Sequence, residues 1–530
     1  MKNEDFPIGH KTLDRWIEYN KNNVKYPEIK NDRYIYVNFS MVRLQTAYIL
    51  PKILFALGMA EAQKAQVIAI TWKPNDNLKA LLESYGIIHL DIESLIKKDV
   101  NAFTKALSIT ASIYIRGGKG EELNALNYKG IPVGRCIYED ILRTSELSTI
   151  KSANNKTCMK KILHLLWMFN ALDSYLKRHK PLFCVADDLA YHEGMQSALF
   201  YKHGAKLSNV SWGGVGRVLF DDQLRTIRWP YLSNRYCHEH IDSVKDDDAE
   251  KAIKYLEERF RGKNGRNIDR GAFAGKKVWD RSEGVRQLGL DPDKKNIVIM
   301  AHTFTDAIYN YGDTFFRDYY DWTEKTLGIA EEIDSVNWIL KPHPTRKAYH
   351  EEKDSIESMF ERHKKTNIHF LSDEVSSESI KNIADAIITI GGNAGAEYAC
   401  YGIPVVIVGT PYYKGFGYSL EPKNLSEYRK CLFDMPRINK LNDEQVLTAR
   451  KVFYLQNCSN KKKTGFKDEL TNIVKDGYKK MLDKMALEFF DKNEGTQKFN
   501  DELTEDILSY FEKNDYRTVD YYNTGKNTIV

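Results

Sequence analysis

In the N-terminal half, short apolar runs alternate with stretches of helical periodicity. Runs at Tyr34–Phe39, Gln66–Thr71, Ile87–Leu90, Ser112–Ile115, Leu182–Ala186 and Leu207–Trp212 are rich in Val, Ile, Tyr and Phe, with polar or glycine residues at their borders. That spacing predicts buried strands. Between them, Met41–Ala60, Asn75–Tyr85, Lys156–Arg178 and His192–His203 read as helices. Strand, helix, strand in repetition predicts a parallel α/β sheet. The alternation stops over residues 237–292, which hold one charged helix (Ala249–Arg261) and a Gly/Arg/Asn/Asp stretch from Gly262 to Gly271. It restarts with strands at Asn296–Ala301, Val336–Leu340, Ile368–Leu371, Ala386–Ile390 and Val405–Val408.

This pattern divides the chain into an N-terminal α/β domain (1–236), an interdomain connection (237–292), a C-terminal α/β domain (293–441) and a Lys/Glu-rich helical extension with a polar tail (442–530). The fold class expected is α/β, two Rossmann-like doubly wound domains followed by that extension. Ligands of open parallel sheets sit outside the carboxyl ends of the strands. The loops that follow the strands are therefore where chemistry is expected.

Composition narrows the classes. The 78 Lys and Arg against 73 Asp and Glu leave a net charge of only +5 over 530 residues, so no concentrated basic face argues for nucleic acid. Seven cysteines are scattered without a CxxC pair, against a disulfide scaffold or zinc cluster. The opening residues lack an apolar stretch behind a basic end, and the longest apolar region, Ile162 to Leu172, is broken by His164 and Asn170. A cytoplasmic protein is expected. Aromatic content of 12%, including 32 tyrosines, fits a carbohydrate-handling surface.

The richest motifs follow the second set of strands. Lys341-Pro342-His343-Pro344 comes directly after Val336–Leu340. Its two prolines deny the backbone a helix and hold the imidazole of His343 and the amine of Lys341 at a strand end, a placement that suits phosphate oxygens. The alternative is a rigid turn with solvated charges. The segment from Ile387 to Ala399 runs from a β-branched strand through Gly391-Gly392-Asn393 into a helix carrying Glu397. Glycines there let backbone N–H groups approach an anion, and Glu397 is suited to a ribose hydroxyl or to the helix dipole. Neither GxxxxGK[ST] nor GxGxxG is present. Ser376 and Ser377 either bond a phosphate or cap the helix that begins near Glu378. Gly402 to Gly417 holds a further strand and the aromatic loop Pro411-Tyr412-Tyr413-Lys414-Gly415-Phe416-Gly417, a stacking surface or core filler.

In this order, KPHP, a Ser-Ser loop, GGNAGAEYACYGIPVV and PYYKGFG resemble the capsule polysaccharide biosynthesis family. These are bacterial GT-B glycosyltransferases that include the β-Kdo transferases (Kdo is 3-deoxy-manno-octulosonic acid). The resemblance covers about residues 290–420, with Phe416 where the family usually has Trp. It implies a GT-B-like arrangement and a nucleotide-sugar donor, CMP-Kdo in the best-known members, held by the C-terminal domain. It also implies that Lys341, His343, Ser376, Ser377 and Glu397 belong to the donor site, with the turn residues Gly392 and Asn393 beside them.

In the N-terminal half, Leu182–Ala186 runs into Asp187-Asp188-Leu189-Ala190-Tyr191-His192-Glu193. Carboxylates and a His at a strand end suit sugar transfer, because one group takes the acceptor proton or attacks the anomeric carbon while a neighbour tunes it. The competing reading is a helix cap. The resemblance implies an Asp at this place, and Asp188 fits best, with Asp187, His192 and Glu193 as the other catalytic candidates. Arg116 and Lys119, after the strand at Ser112–Ile115, either grip an acidic acceptor or sit on a surface turn. Lys461-Lys462-Lys463 reads as a solvated helix edge with weak attraction to anionic lipid.

The function expected is transfer of a sugar from a nucleotide-sugar substrate to a capsule or surface glycan or glycolipid acceptor. No resident cofactor and no metal are expected, because basic groups neutralise the leaving phosphate. The location is cytoplasmic, with peripheral contact at the inner membrane left open. Two rivals stand beside this reading: a glycerol- or ribitol-phosphate transferase, and a non-catalytic glycan-binding or export-assembly protein.

Overall fold

The computed structural model describes residues 29–30, 32–39 and most of 52–458, with short pieces at 13–14, 17–18 and 20–21. Within 52–458, the residues left undescribed are 54–55, 58, 61–62, 73–75, 187–188, 212–213, 221–225, 228–233, 264–272, 274, 345 and 347–353. Most of the helix expected at Met41–Ala60 and all of the tail from residue 459 lie outside the described residues.

The N-terminal sheet is formed by β1 (Tyr34–Phe39), β2 (Gln66–Thr71), β3 (Ile88–Asp91), β4 (Pro181–Ala186), β5 (Lys206–Ser211), β6 (Gly214–Phe220) and β7 (Thr226–Ile227). Their order is β3-β2-β1-β4-β5-β6-β7. β1 pairs in parallel with β2 (Tyr34 opposite Gln66) and with β4 (Val37 opposite Val185), while β5 and β6 run antiparallel. Alternate residues feed two cores. Tyr36, Ile68 and Cys184 face one layer of helices, and Ile35, Val37, Phe183 and Val185 face the other. A sheet covered on both faces needs nearly continuous apolar strands, which is why these runs stood out in the sequence.

The C-terminal sheet comprises β8 (Lys295–Met300), β9 (Val336–Lys341), β10 (Ile368–Phe370), β11 (Ala386–Thr389), β12 (Val405–Ile407) and β13 (Ser419–Leu420), ordered β10-β9-β8-β11-β12-β13 and parallel throughout. Every residue of β9 is buried. In both sheets the strand order reverses beside the first strand, between β1 and β4 and between β8 and β11. Each reversal opens a crevice at the carboxyl edge.

Two expectations change. Ser112–Ile115 is not a strand but the last turn of a helix, Val100–Ile115. Ala102, Ala106 and Thr110 are buried along it at helical spacing, Asp99 caps its start by accepting from Ala102 N at 2.8 Å, and Phe103 packs edge-on to Trp167 of the long helix Lys156–Arg178. A side-chain cap and an i, i+4 stripe outweigh the strand propensity of a short β-branched ending. The segment 237–292 also holds more than a connection. Cys237, Val244, Ala252, Leu256 and Phe260 enter the C-terminal core beside Ala449, Val452 and Phe453. The helix Asp246–Phe260 therefore packs with Asp443–Asn457, the described part of the helical extension, and Arg450 reaches Glu250 at 2.8 Å.

Candidate active site

The loops beyond β4 and β8 meet. Tyr191, at the start of the helix Tyr191–Lys202, donates its hydroxyl to Asp306 Oδ1 at 2.8 Å, and Ala190, Tyr191 and Ala307 form a small apolar cluster across the join. The carboxyl edges of the two sheets therefore face one another. Tyr191 has φ of 56°, a left-handed conformation that a bulky residue avoids. Strain of this kind persists where the surroundings over-determine it, and it gathers at functional sites. The helix Val133–Ser145 lies along the same join. Its Glu139 accepts from Tyr309 N at 2.9 Å, Arg135 pairs with Asp313 at 2.6 Å, and Tyr138 donates its hydroxyl to the buried Asp318. Burial raises the Asp318 carboxyl above its ordinary range despite donors from Thr149 and Tyr138 and the nearby Arg317.

Next to Tyr191 is an ordered Asp–His pair. His192 Nδ1 lies 2.6 Å from Asp140 Oδ2, with both residues buried, and the indole of Trp72 packs over the imidazole with ring centroids 4.8 Å apart. The other ring nitrogen, Nε2, is buried without a hydrogen-bond partner. Burial alone would raise Asp140; the charge of a protonated His192 and its hydrogen bond more than offset this and hold the carboxyl below its ordinary value. A carboxylate behind one nitrogen fixes the ring's orientation and tautomer and leaves the other nitrogen for proton transfer. Of the four catalytic candidates, His192 occupies this position and Glu193 is fully buried in the first turn of its helix. Asp187 and Asp188 lie outside the described residues. Arg116 and Lys119 are exposed, at the end of the Val100–Ile115 helix rather than beyond a strand.

Across the join, the β8–β11 crevice is lined by groups from the ends of those two strands. His302, after β8, lies 3.1 Å from Thr389 Oγ1 at the end of β11 and stacks on Tyr319 with centroids 4.4 Å apart. Burial, reinforced by the charge of His343, lowers its pKa to about 3, so the ring is neutral and free of charge at neutral pH. Thr303 next to it has a buried hydroxyl without a partner. Gly392 has φ of −64°, so a left-handed turn is not what requires glycine. The requirement is space: a Cβ there would lie 3.3 Å from both His302 Cε1 and Thr389 Oγ1. Asn393 is exposed at the start of the short helix Asn393–Ala399.

Most of the other donor-site candidates carry structural duties. Lys341 is buried, and its Nζ donates to the carbonyls of Ser372 at 3.0 Å and Val375 at 3.2 Å, tying down the loop after β10; burial lowers its pKa to about 8. His343 is half-buried two residues further on. Ser376 caps a 3₁₀ turn by accepting from Glu378 N at 3.1 Å, and the carbonyl of Ser377 accepts from the Tyr398 hydroxyl at 2.7 Å. Glu397 pairs with Arg259 Nε at 2.9 Å. Tyr412 and Tyr413 are core, the Tyr413 hydroxyl donating to Gly392 O at 2.8 Å, while half-buried Phe416 of the same loop stacks on His238 with ring centroids 3.9 Å apart. Sequence reasoning missed His302, Thr303, Asp140 and Trp72. His302 and Thr303 directly follow an expected strand, which was the available signal. Asp140 lies within a helix and gave none.

The family model described as "Capsule polysaccharide biosynthesis protein" matches residues 275–447, which bears out over that segment the resemblance read from the motifs. No curated protein matches the sequence. Among solved structures, the chain is similar to the KpsC β-Kdo 2,4 transferase of Thermosulfurimonas dismutans, with 14% identity, a TM-score of 0.32, and 51% of this chain and 79% of that one covered. It is also similar to a glycosyltransferase from Rickettsia africae (8% identity, TM-score 0.25, 87% and 98% covered). A third similarity is to the UDP-GlcNAc 2-epimerase of Methanocaldococcus jannaschii (13%, 0.27, 79% and 98%). At such values these structural likenesses do not identify an activity; the family match supports a glycosyltransferase-type role.

Proposed function

With the capsule polysaccharide biosynthesis match over residues 275–447 as premise, we propose that this chain is a metal-independent glycosyltransferase. It moves a sugar from a nucleotide-sugar, CMP-Kdo being the first donor to try, to a glycan or glycolipid hydroxyl on the cytoplasmic side. The observation that carries the reading is the Asp140–His192 pair at the carboxyl edge of one sheet, joined through Tyr191 and Asp306 to the family-matched domain. In this reading the donor's phosphates lie over the β8–β11 crevice, within reach of His343, the Thr303 hydroxyl and the 391–393 turn. His192 Nε2 takes the proton of the acceptor hydroxyl as its oxygen bonds to the anomeric carbon and the sugar–phosphate bond breaks. Asp140 holds the imidazole and stabilises the positive charge it gains. Neutral His302 offers the leaving group a dipole instead of a second charge beside His343.

The test is calorimetric titration with CMP, CDP, UDP and GDP, followed by transfer assays with the matching sugar donor in the presence and absence of chelator. Nucleotide binding with sugar transfer that survives chelation supports the proposal. Binding of no nucleotide points to a glycan-binding or assembly protein. CDP binding with turnover of CDP-glycerol points to a polyol-phosphate transferase.

A further inference from the structure

We propose that the outer face of the Val100–Ile115 helix docks this chain on an anionic membrane surface. The sixteen-residue helix turns Ala102, Ala106 and Thr110 inward, while Val100, Leu107, Tyr114 and Ile115 point to solvent, exposed by 70, 46, 59 and 81%. Val100, Leu107 and Tyr114 recur at a heptad and form one stripe, and Ile115 stands about 100° round the helix from Tyr114, beyond exposed Ala111 and Thr104. The helix is about 24 Å long at 1.5 Å per residue, so the stripe extends along most of one side. Large apolar side chains gathered this way on a soluble surface mark a contact.

Charge selects the partner. Lys97, Lys98 and Lys105 border the stripe at one end and in its middle, and Arg116 and Lys119 lie at the other, all exposed. The neighbouring helix Lys156–Arg178 runs antiparallel, as Asn154 Nδ2 donating to Tyr114 O and Trp167 Nε1 donating to Asp99 O show, so exposed Lys156 and Lys160 flank the same end as Arg116. Acidic neighbours are mostly engaged: Asp99 caps the helix and Glu121 pairs with Arg317, leaving Glu122 exposed. An apolar stripe with a basic border and an interfacial tyrosine is the build of a helix lying in a headgroup layer. Among the described residues no helix is long and apolar enough to cross a membrane, so contact here would lie in the membrane plane.

The experiment is co-sedimentation of the full chain with vesicles of phosphatidylcholine alone or with phosphatidylglycerol. Binding is expected only to the anionic vesicles and should weaken as salt rises. Leu107→Glu with Ile115→Glu should reduce it by about tenfold or more, and Arg116→Gln and Lys119→Gln by about fivefold each. These positions are exposed, so the variants should keep the far-ultraviolet spectrum of the parent. Absence of vesicle binding, or binding undiminished in Leu107→Glu/Ile115→Glu, overturns the proposal. So does shielding of Ile115→Cys from a maleimide in the free protein, or a dimer that the double variant breaks, either of which would mean that protein covers the face.

Discussion

The two sheets share an order of strands, and they differ in what each sets at its point of reversal. Beside β1 and β4 the N-terminal domain holds an ionisable pair, Asp140 and His192, in which the imidazole's charge and hydrogen bond keep the carboxylate ionised against the cost of its burial. Beside β8 and β11 the C-terminal domain holds a neutral imidazole, hydroxyls and a glycine where a methyl would crowd, and it sends its buried cation, Lys341, into loop carbonyls. In the proposed function the first crevice moves a proton and the second holds the donor. The same topology therefore fixes where a ligand lies and leaves its chemistry to a few side chains.

The sharpest way to break this contrast is His192→Gln. Turnover should fall by about 10²–10⁴ with nucleotide affinity unchanged, measured by transfer rate and calorimetry. If Asp188→Asn abolishes turnover and His192→Gln does not, the proton is handled by the loop carboxylate. Next in size, His343→Ala should weaken nucleotide binding by about 1.5–3 kcal/mol with little change in the thermal midpoint of the free protein. Lys341→Met should do the reverse, lowering the midpoint because two buried carbonyls lose their donor. Gly392→Val should cost about 1–3 kcal/mol of stability through crowding of His302 and Thr389, and reduce nucleotide binding with it. Normal binding by that variant would make the turn a packing feature alone.

The smallest effect expected is in acid. Because the folded state depresses the Asp140 carboxyl, its contribution to stability is present above the unfolded-state carboxylate value and is lost as pH falls through the lower, folded one. Asp140→Asn should therefore be less stable than the parent at neutral pH, with the gap closing below about pH 4, as denaturant titrations at several pH values would show. A gap that persists in acid would mean that the pair contributes packing rather than charge.

Much of the architecture was readable because strands buried on both faces leave unbroken runs such as VNWILK, and because their following loops carry the polar residues. The Ser112–Ile115 ending was misread since a four-residue β-branched run outweighs, by eye, the cap at Asp99 and the stripe of Ala102, Ala106 and Thr110. The strands β6 and β7, at the antiparallel end of the sheet, were missed; GVGRVLF is interrupted by two glycines and an arginine. At the site, position was legible and partnership was not. His192 was named, but its carboxylate lies on another helix, and the pairing of Glu397 with Arg259 joins residues brought together only by the C-terminal core. The direction in which the Lys341 stem runs is likewise decided by burial.

The pairing of Asp246–Phe260 with Asp443–Asn457 has a consequence for synthesis. The described strands of the first sheet are all synthesised by residue 227 and emerge while the rest of the chain is still being made, so that sheet can assemble during translation. The second core cannot close until Val452 and Phe453 emerge to cover Leu256 and Phe260. For the interval between, the nascent chain carries a finished domain beside an exposed apolar groove, and a pause or truncation before residue 450 would leave that groove open to chaperones and aggregation.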